Sequence, residues 1–321
     1  MAVELDIAIL KHTALGEADS VLLETIRARG HRGRVIDPRA GVHELDWRDR
    51  PHIVIGRCEL SSFRDSALSA YLSTFARCRA LGVGIVNGPE FMLAAQDKFA
   101  SHLALERELR GRGLESINPE TMLCFCAEEA EAAALSMIDR HGAVVLKRPQ
   151  AGWGAGVFLA ATAQELRTLL GECFVTGDPI LLQRPISKPR NADGGFRDLR
   201  VWACRTPAGA VETVAAFYRN GSPGEFKTNG SRGGAITVLG AGPEIDPQLA
   251  NWASRVMDAL GGDVAGLDFI TDEDGRYWFL EVNYAFEAHR NSSFARFGPV
   301  IWDRAIDLAE SRAARQGHPA R

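Results

Sequence analysis

The segment GLDFITDEDGRYWFLEVN carries two acids, Asp268 and Glu281, whose spacing could bring them face to face. Asp274 and Gly275 suit the two central positions of a tight hairpin turn, which pairs Glu273 with Arg276 and, counting outward, Asp268 with Glu281. Directly opposed like charges destabilise a sheet. The same face is expected to carry Ile270 and Phe279, so a cation between the acids would explain the pair. A solvated polar strand edge, or a loop of another length, is the alternative. Asn283 lies two residues beyond Glu281, points the same way and adds a neutral oxygen. Carboxylates with an amide oxygen are hard ligands suited to magnesium, which keeps waters and bridges phosphates instead of sitting in a closed protein cage.

A second constellation is the glycine loop of VVLKRPQAGWGAGVFLA, where Gly152, Gly154 and Gly156 lie between two β-like runs and Lys147 ends the first. No GK[ST] follows and the chain continues as a strand, so this is not a P-loop. Alternate glycines let backbone N–H groups close over phosphate oxygens, while a lysine on the adjoining strand reaches them as a point charge. A plain glycine-rich turn is the other reading of this loop taken alone. Farther on, Arg184, Lys188, Arg190, Arg197, Arg200, Arg205, Arg219, Lys227 and Arg232 outnumber Asp193, Asp198, Glu212 and Glu225. Within that stretch FRDLRVW and EFKTNGSRGG set arginines beside glycine and asparagine, a chemistry suited to a multiply charged anion such as triphosphate. Ordinary solvated strands could look similar. RNA binding is the other functional reading, but the aromatics form no stacking array and the net charge is −4.

These groups need a scaffold, and the chain has the length for one. Its 321 residues are 46% hydrophobic and 24% charged, which excludes a disordered, fibrous or mini-protein class. The first ninety residues alternate short apolar runs (Ile7 to Leu10, Arg34 to Asp37, His52 to Gly56, Val83 to Val86) with amphipathic stretches (Ser20 to Arg29, Ala67 to Leu81). That βαβα rhythm predicts an open parallel sheet. KHTALGEADS stands where a dinucleotide fingerprint would be, so a substrate-side role suits this unit better. Arg57 and Glu59, at the end of a predicted strand, face the expected cleft. A helix over Gln96 to Arg110 ends at Gly111 and Gly113, with Pro119 beyond. The expected units are 1–90, an N-terminal α/β domain; 91–180, a small α/β subdomain with the glycine flap; and 181–321, a C-terminal subdomain with the metal site. The six cysteines form no CxxC pair and read as reduced thiols, and no histidine falls in a zinc motif. No apolar run approaches the length of a membrane helix and the amino-terminal residues carry acids, so a soluble, cytoplasmic protein is expected, without nucleic-acid or membrane partners.

Taken in order, NGPEFMLAAQDK, INPET, VVLKRPQAGWGAGV, LLQRPI, RDLRVW, GEFKTNGSRGG, GLDFI and EVN resemble the ATP-grasp superfamily, and most closely its RimK-like carboxylate-amine ligases of the α-L-glutamate ligase type. The resemblance covers residues 80 to 285. It implies an α+β ATP-grasp fold, two subdomains clasping ATP, with Lys98 and Lys147 on the phosphates and Gly152, Gly154 and Gly156 in the covering loop. Gln183, Arg184, Pro185 and Ile186 resemble the hinge that holds adenine through backbone groups, with Arg184 where an acid or another residue is common. Asp198 and Arg200 match a DxR element near ribose and substrate. Arg219, Lys227 and Asn229 match positions that hold phosphate and the reacting acyl group, and Asp268, Glu281 and Asn283 match the metal ligands.

The resemblance further implies ATP with magnesium, two ions or manganese in their place, and a carboxylate and an amine acceptor as the other partners, in a chain that could form a homo-oligomer. The implied reaction phosphorylates a carboxylate to an acyl phosphate, which the amine attacks to give an amide, ADP and phosphate. Arg219, with Lys147 and Arg200, is the catalytic candidate, stabilising the oxyanion. After EVN the chain departs from the family with YAFEAHRNSSFARFG, so Glu287, His289 and Arg290 are either acceptor ligands or surface charges, and Trp153 either stacks on a ligand or anchors the loop. A peptide-modifying macrocyclase, a phosphotransferase and a nucleotide sensor are the competing functions.

Overall fold

The computed structural model describes residues 4–39, 50–58, 65–150, 156–173, 178–190, 194–221, 235–286 and 295–316. Gly152, Trp153, Gly154, Lys227, Asn229, Glu287, His289 and Arg290 lie outside the described residues, as does Glu59.

The amino-terminal rhythm folds as β1 (Asp6–Leu10), α1 (Glu17–Ala28), β2 (Arg32–Ile36), β3 (Ile53–Gly56), α2 (Asp65–Ala80) and β4 (Gly84–Val86). The strands form a parallel sheet in the order β2-β1-β3-β4. Every residue of β1 and β3 is buried, as expected where both faces of a parallel sheet are covered and the strands read as unbroken apolar runs.

The helix expected from Gln96 begins at Lys98, a single residue after another helix ends. Gly88 precedes Pro89, which starts α3 (Pro89–Gln96), and Asp97 caps α4 (Lys98–Gly111) by accepting from the backbone of Phe99 and Ala100. The break leaves Lys98 as the first residue of α4, with its backbone N–H donating to Pro149 O at 3.1 Å. Leu105 and Leu109 of α4 share a buried cluster with residues of the carboxyl-terminal sheet such as Leu267 and Phe279.

The smaller sheet is built from β5 (Thr121–Cys124), β6 (Val144–Lys147), β7 (Val157–Ala160) and β8 (Ile180–Gln183), in the order β5-β8-β6-β7 with antiparallel pairs. Helices α5 (Ala127–His141) and α6 (Ala163–Cys173) cover one face through Ala134, Met137, Leu166 and Leu170. The larger sheet runs β11 (Ala235–Ala241), β10 (Val211–Asn220), β9 (Arg197–Arg205), β12 (Val264–Thr271), β13 (Tyr277–Asn283), all antiparallel. Helix α7 (Pro247–Leu260) lies against it, and α8 (Gly298–Arg315) packs on α1 and β9.

A buried junction ties the parallel sheet to the larger one. Asn87, in the left-handed region at φ 56°, donates Nδ2 to Val264 O at 2.8 Å and accepts from the N–H groups of Asp263 and Val264. Arg312 grips the Asp263 carboxylate at 2.6 and 2.7 Å.

The late hairpin corrects the expected turn. Its loop is longer than two residues: Asp272 N–H donates to Arg276 O at 3.0 Å and Gly275 takes the left-handed conformation at φ 81°. Thr271 therefore faces Tyr277 and Phe269 faces Phe279, one residue out of the expected register. A bulge at Leu280 restores the count, and Asp268 does face Glu281. Phe279 is consequently not on the acids' face. It packs in the opposite core against Phe269, with ring centroids 5.9 Å apart, and Val282 joins the same core three residues later.

Candidate active site

Strand register sets charged residues in a row across the larger sheet. Arg219 of β10 faces Asp198 of β9; Arg200, two residues along β9, faces Asp268 of β12, which faces Glu281 of β13. The side chains meet as that pairing predicts. Arg219 holds Asp198 through Nε and Nη2 at 2.6 and 2.8 Å, and Nη2 also reaches Asp268 Oδ2 at 2.9 Å. Arg200 holds Asp268 in the same forked manner at 2.7 and 2.8 Å. Asn283 Nδ2 donates to Asp268 Oδ2 at 3.2 Å, and Lys98 approaches Glu281 at 3.3 Å.

These contacts revise the electrostatic premise of the hairpin. The opposed acids need no bound cation to coexist, because Arg200 and Arg219 balance Asp268 and Lys98 balances Glu281. Burial works against the ionised form of Asp268, yet the two guanidinium groups outweigh it and hold the carboxyl below its ordinary value. Burial likewise opposes charge on Arg219, but Asp198 and Asp268 more than compensate and raise its pKa. The hydrogen bonds of Arg219 to these acids use Nε and Nη2.

Lys147, at the end of β6, donates to Gln183 Oε1 at 2.5 Å, and Gln183 Nε2 donates to Thr121 Oγ1 at 3.0 Å. Burial lowers the Lys147 pKa to about 8, with Lys98 and Lys188 adding to the effect and Glu281 opposing it. An anionic ligand would relieve the repulsion among these ammonium groups. Gly156, at φ 71°, precedes β7, and an added Cβ would sit 3.2 Å from the Arg148 side chain. In the stretch resembling a hinge, the Arg184 N–H is committed to Glu120 O at 2.9 Å and Pro185 has none. The Arg184 guanidinium lies over Trp278 at 4.6 Å.

Two residues at the site escaped the sequence reading of roles. Lys188 is one basic residue among many in the sequence, yet it sits half-buried near Asp198 and Arg219; desolvation lowers its pKa, Asp198 opposes this and Arg219 adds to it. His102, on α4, places Nε2 3.1 Å from Leu280 O, the bulged residue between the acids' strand and its core side. The carbonyl can only accept, so the proton sits on Nε2. No local pattern marks this role; only α4 packing on β13 creates it.

Burial lowers the His102 pKa to about 4, with the Leu280 bond opposing and Lys147 and Lys98 adding to it. The unfolded chain therefore binds this proton more readily, at an ordinary pKa near 6.5, and stability rises with pH across that window. Acidification from pH 8 to pH 5 should remove about 2 kcal/mol through this group. Urea midpoints across that range check the expectation: a His102→Gln variant should show a flatter acid limb than the parent, and an unchanged slope would contradict it.

The donor set fits a hard divalent ion: two carboxylates and an amide converge from adjacent strands, and Glu281 keeps 30% of its side chain exposed. Asn283 would have to present its oxygen in place of the amide nitrogen that faces Asp268, a simple side-chain flip. No cluster of three or more His, Cys, Asp or Glu suited to a metal occurs among the described residues, so phosphate or water oxygens would complete the shell. Among the described residues, no helix is long and apolar enough to cross a membrane.

A family model for the RimK-like ATP-grasp domain matches residues 95–294. The chain is 26% identical over 284 residues to a Shewanella frigidimarina protein named probable alpha-L-glutamate ligase 2, covering 86% of this chain and 87% of that one. Its fold is similar to that of D-alanyl-alanine synthetase A from Vibrio cholerae, with a TM-score of 0.67 at 12% identity over 98% of this chain and all of that one. It is also similar in fold to an ATP-grasp ligase, PsnB, in complex with a minimal precursor, with a TM-score of 0.66 at 17% identity over 95% of this chain and all of that one.

Proposed function

The chain belongs to the RimK-like ATP-grasp family, a family of ATP-dependent carboxylate-amine ligases, and we propose that it forms an amide through an acyl phosphate, with an amino acid or peptide among its substrates. The observation that carries this reading is the row Arg219, Asp198, Arg200, Asp268, Glu281 on one sheet face, with Lys98 docked against its end.

A carboxylate is a poor electrophile, and phosphorylation supplies a leaving group that amine attack can displace. Lys98 and Lys147 would receive the phosphates, and Gly156 would allow the segment it follows to close over them without a clashing Cβ. In the Gln183 to Ile186 stretch the Ile186 N–H is the donor suited to adenine, because Arg184 has spent its own and Pro185 has none. Asp268, Glu281 and Asn283 would hold magnesium, which supplies charge neutralisation between the phosphates. Arg200 and Arg219, freed in part from Asp268 as its charge is shared, would turn N–H groups toward the reacting acyl oxygen; Arg219 Nη1, which does not bond these acids, is the donor for the developing oxyanion. Asp198 keeps the Arg219 plane fixed while this happens. The name of the Shewanella relative makes glutamate the first substrate to try.

Hydroxylamine tests the reaction class. With ATP and the cognate acid, the protein should yield a hydroxamate and release ADP; ADP release with a stable phosphorylated product and no hydroxamate would point to a phosphotransferase and overturn the ligase reaction.

A further inference from the structure

Away from the row of charges, two cations are buried side by side at the carboxyl ends of neighbouring parallel strands. Lys11 follows β1 and Arg57 follows β3; Leu10 and Gly56 are register partners, and Arg57 N–H donates to Leu10 O at 3.1 Å. The carboxyl edge of a parallel sheet is where α/β folds take ligands. Lys11 is 6% exposed and Arg57 only 2%.

One acid serves both. Asp19, in the first turn of α1, accepts from Lys11 through Oδ2 at 2.9 Å and from Arg57 Nε through Oδ1 at 2.6 Å, while Oδ2 also takes the Gly16 N–H at 2.9 Å. Both of its oxygens are thus in use. The nearby Asp37 is taken by Arg39 at 2.7 Å, so that pair cancels itself. Among the described residues one positive charge remains uncompensated, and it resides on a group with an open donor: Arg57 Nη2 reaches Phe286 O at 3.3 Å, but Nη1 is buried with no partner among them. A buried guanidinium donor left unpaired is costly. The plane is also held firmly. Arg57 lies 4.8 Å over Trp302 and 5.9 Å from Phe286, rings that stack on each other at 5.2 Å.

The pair adjoins the proposed reaction site through packing. Phe286 lies three residues beyond Asn283, and a Cβ built on Gly266 would sit 3.1 Å from Phe286 Cβ and 3.5 Å from Arg200 Cδ. Gly266 is itself the register partner of Asn283. Phe286 therefore touches the wall behind Arg200 on one side and carries Arg57 on the other.

We propose that Lys11 and Arg57 form an anion subsite that binds the carboxylate an amino-acid substrate retains through the reaction, the one neither activated nor amidated. This rests on the ligase reading, because it supposes that a second carboxylate lies beside the reacting group. Arg57 Nη1 supplies the hydrogen bond, Lys11 the additional charge, and the Trp302 and Phe286 rings fix the fork before the ligand arrives, which reduces the ordering cost of binding.

Calorimetric titration of the full chain with L-glutamate, L-glutamine and L-isoglutamine, each with magnesium and a non-hydrolysable ATP analogue present, separates the possibilities. The two amides each neutralise one carboxylate. The wild type should bind one amide at least about tenfold more weakly than glutamate. That difference should vanish in Arg57→Gln, shrink in Lys11→Met and persist in part in Arg57→Lys, which keeps the charge if the glutamine variant does not fold. Equal discrimination in wild type and variants, or a wild type that binds all three alike or none of them, overturns the subsite. Binding of the ATP analogue is read in the same experiment: its failure in the wild type contradicts the ligase reading, whereas intact analogue binding with an Arg57-independent glutamate affinity removes only the subsite.

Discussion

Glu281→Gln is expected to lower ATP turnover by about 10²- to 10³-fold, the range seen when one preorganised electrostatic group is taken from a transition state, while leaving thermal stability nearly unchanged. The two effects separate because Glu281 is held by a single described contact, Lys98 at 3.3 Å, and remains partly exposed. Lys98 is itself buried, but the isosteric amide still offers its ammonium an oxygen acceptor and Glu281 stays partly exposed, so the lost charge is expected to cost about 1 kcal/mol of stability. Its proposed contribution is to the metal and nucleotide, which the isosteric amide serves poorly because it brings no negative charge. Initial rates of phosphate release, compared with melting curves of both proteins, check the expectation. A variant that turns over ATP normally would remove Glu281 from the metal site, and one that melts far below the parent would assign it a structural role.

Asp268→Ala should behave in the opposite sense, losing about 3–5 kcal/mol of stability as well as activity, because it leaves buried charge without its partner. Asp268 is 1% exposed and accepts from Arg200, Arg219 and Asn283. Among the described residues truncation leaves Arg200 without a carboxylate partner, whereas Arg219 keeps Asp198. Replacing Arg200 by Met in the same chain should therefore recover part of the loss, and urea denaturation of the two single variants and the double measures that coupling. Additive losses would show that the pair is not the source of the penalty.

The two acids show how far the sequence reaches and why it stops. Their pairing was legible from turn residues and the two-residue side-chain period, yet the turn is longer than Asp274 and Gly275 imply and the bulge at Leu280 compensates for the difference. A bulge leaves no signature in WFLEVN; the contact that accompanies it comes from His102, 178 residues earlier in the chain. The same limit explains Phe279, which the unbulged period places with the acids and the structure places in the core. Helix α4 was legible in its apolar spacing, while its start at Lys98 depended on reading Asp97 as a cap. The parallel sheet was visible in its rhythm of apolar runs. That Lys11, Asp19 and Arg57 share one buried cluster was not, since it depends on which strands become neighbours. The charge balance at Asp268 was hidden for the same reason: Arg200 and Arg219 come from strands whose register with β12 no local pattern fixes.

The metal assignment can be read without turnover or any knowledge of the substrate, by titrating ADP into the protein with and without magnesium. If Asp268, Glu281 and Asn283 hold an ion against the phosphates, magnesium should tighten ADP binding by at least about tenfold in the wild type, as expected for a charged ligand contact, and Glu281→Gln should lose most of that gain while binding metal-free ADP as before. An equal magnesium effect in both proteins would place the ion elsewhere and contradict the assignment.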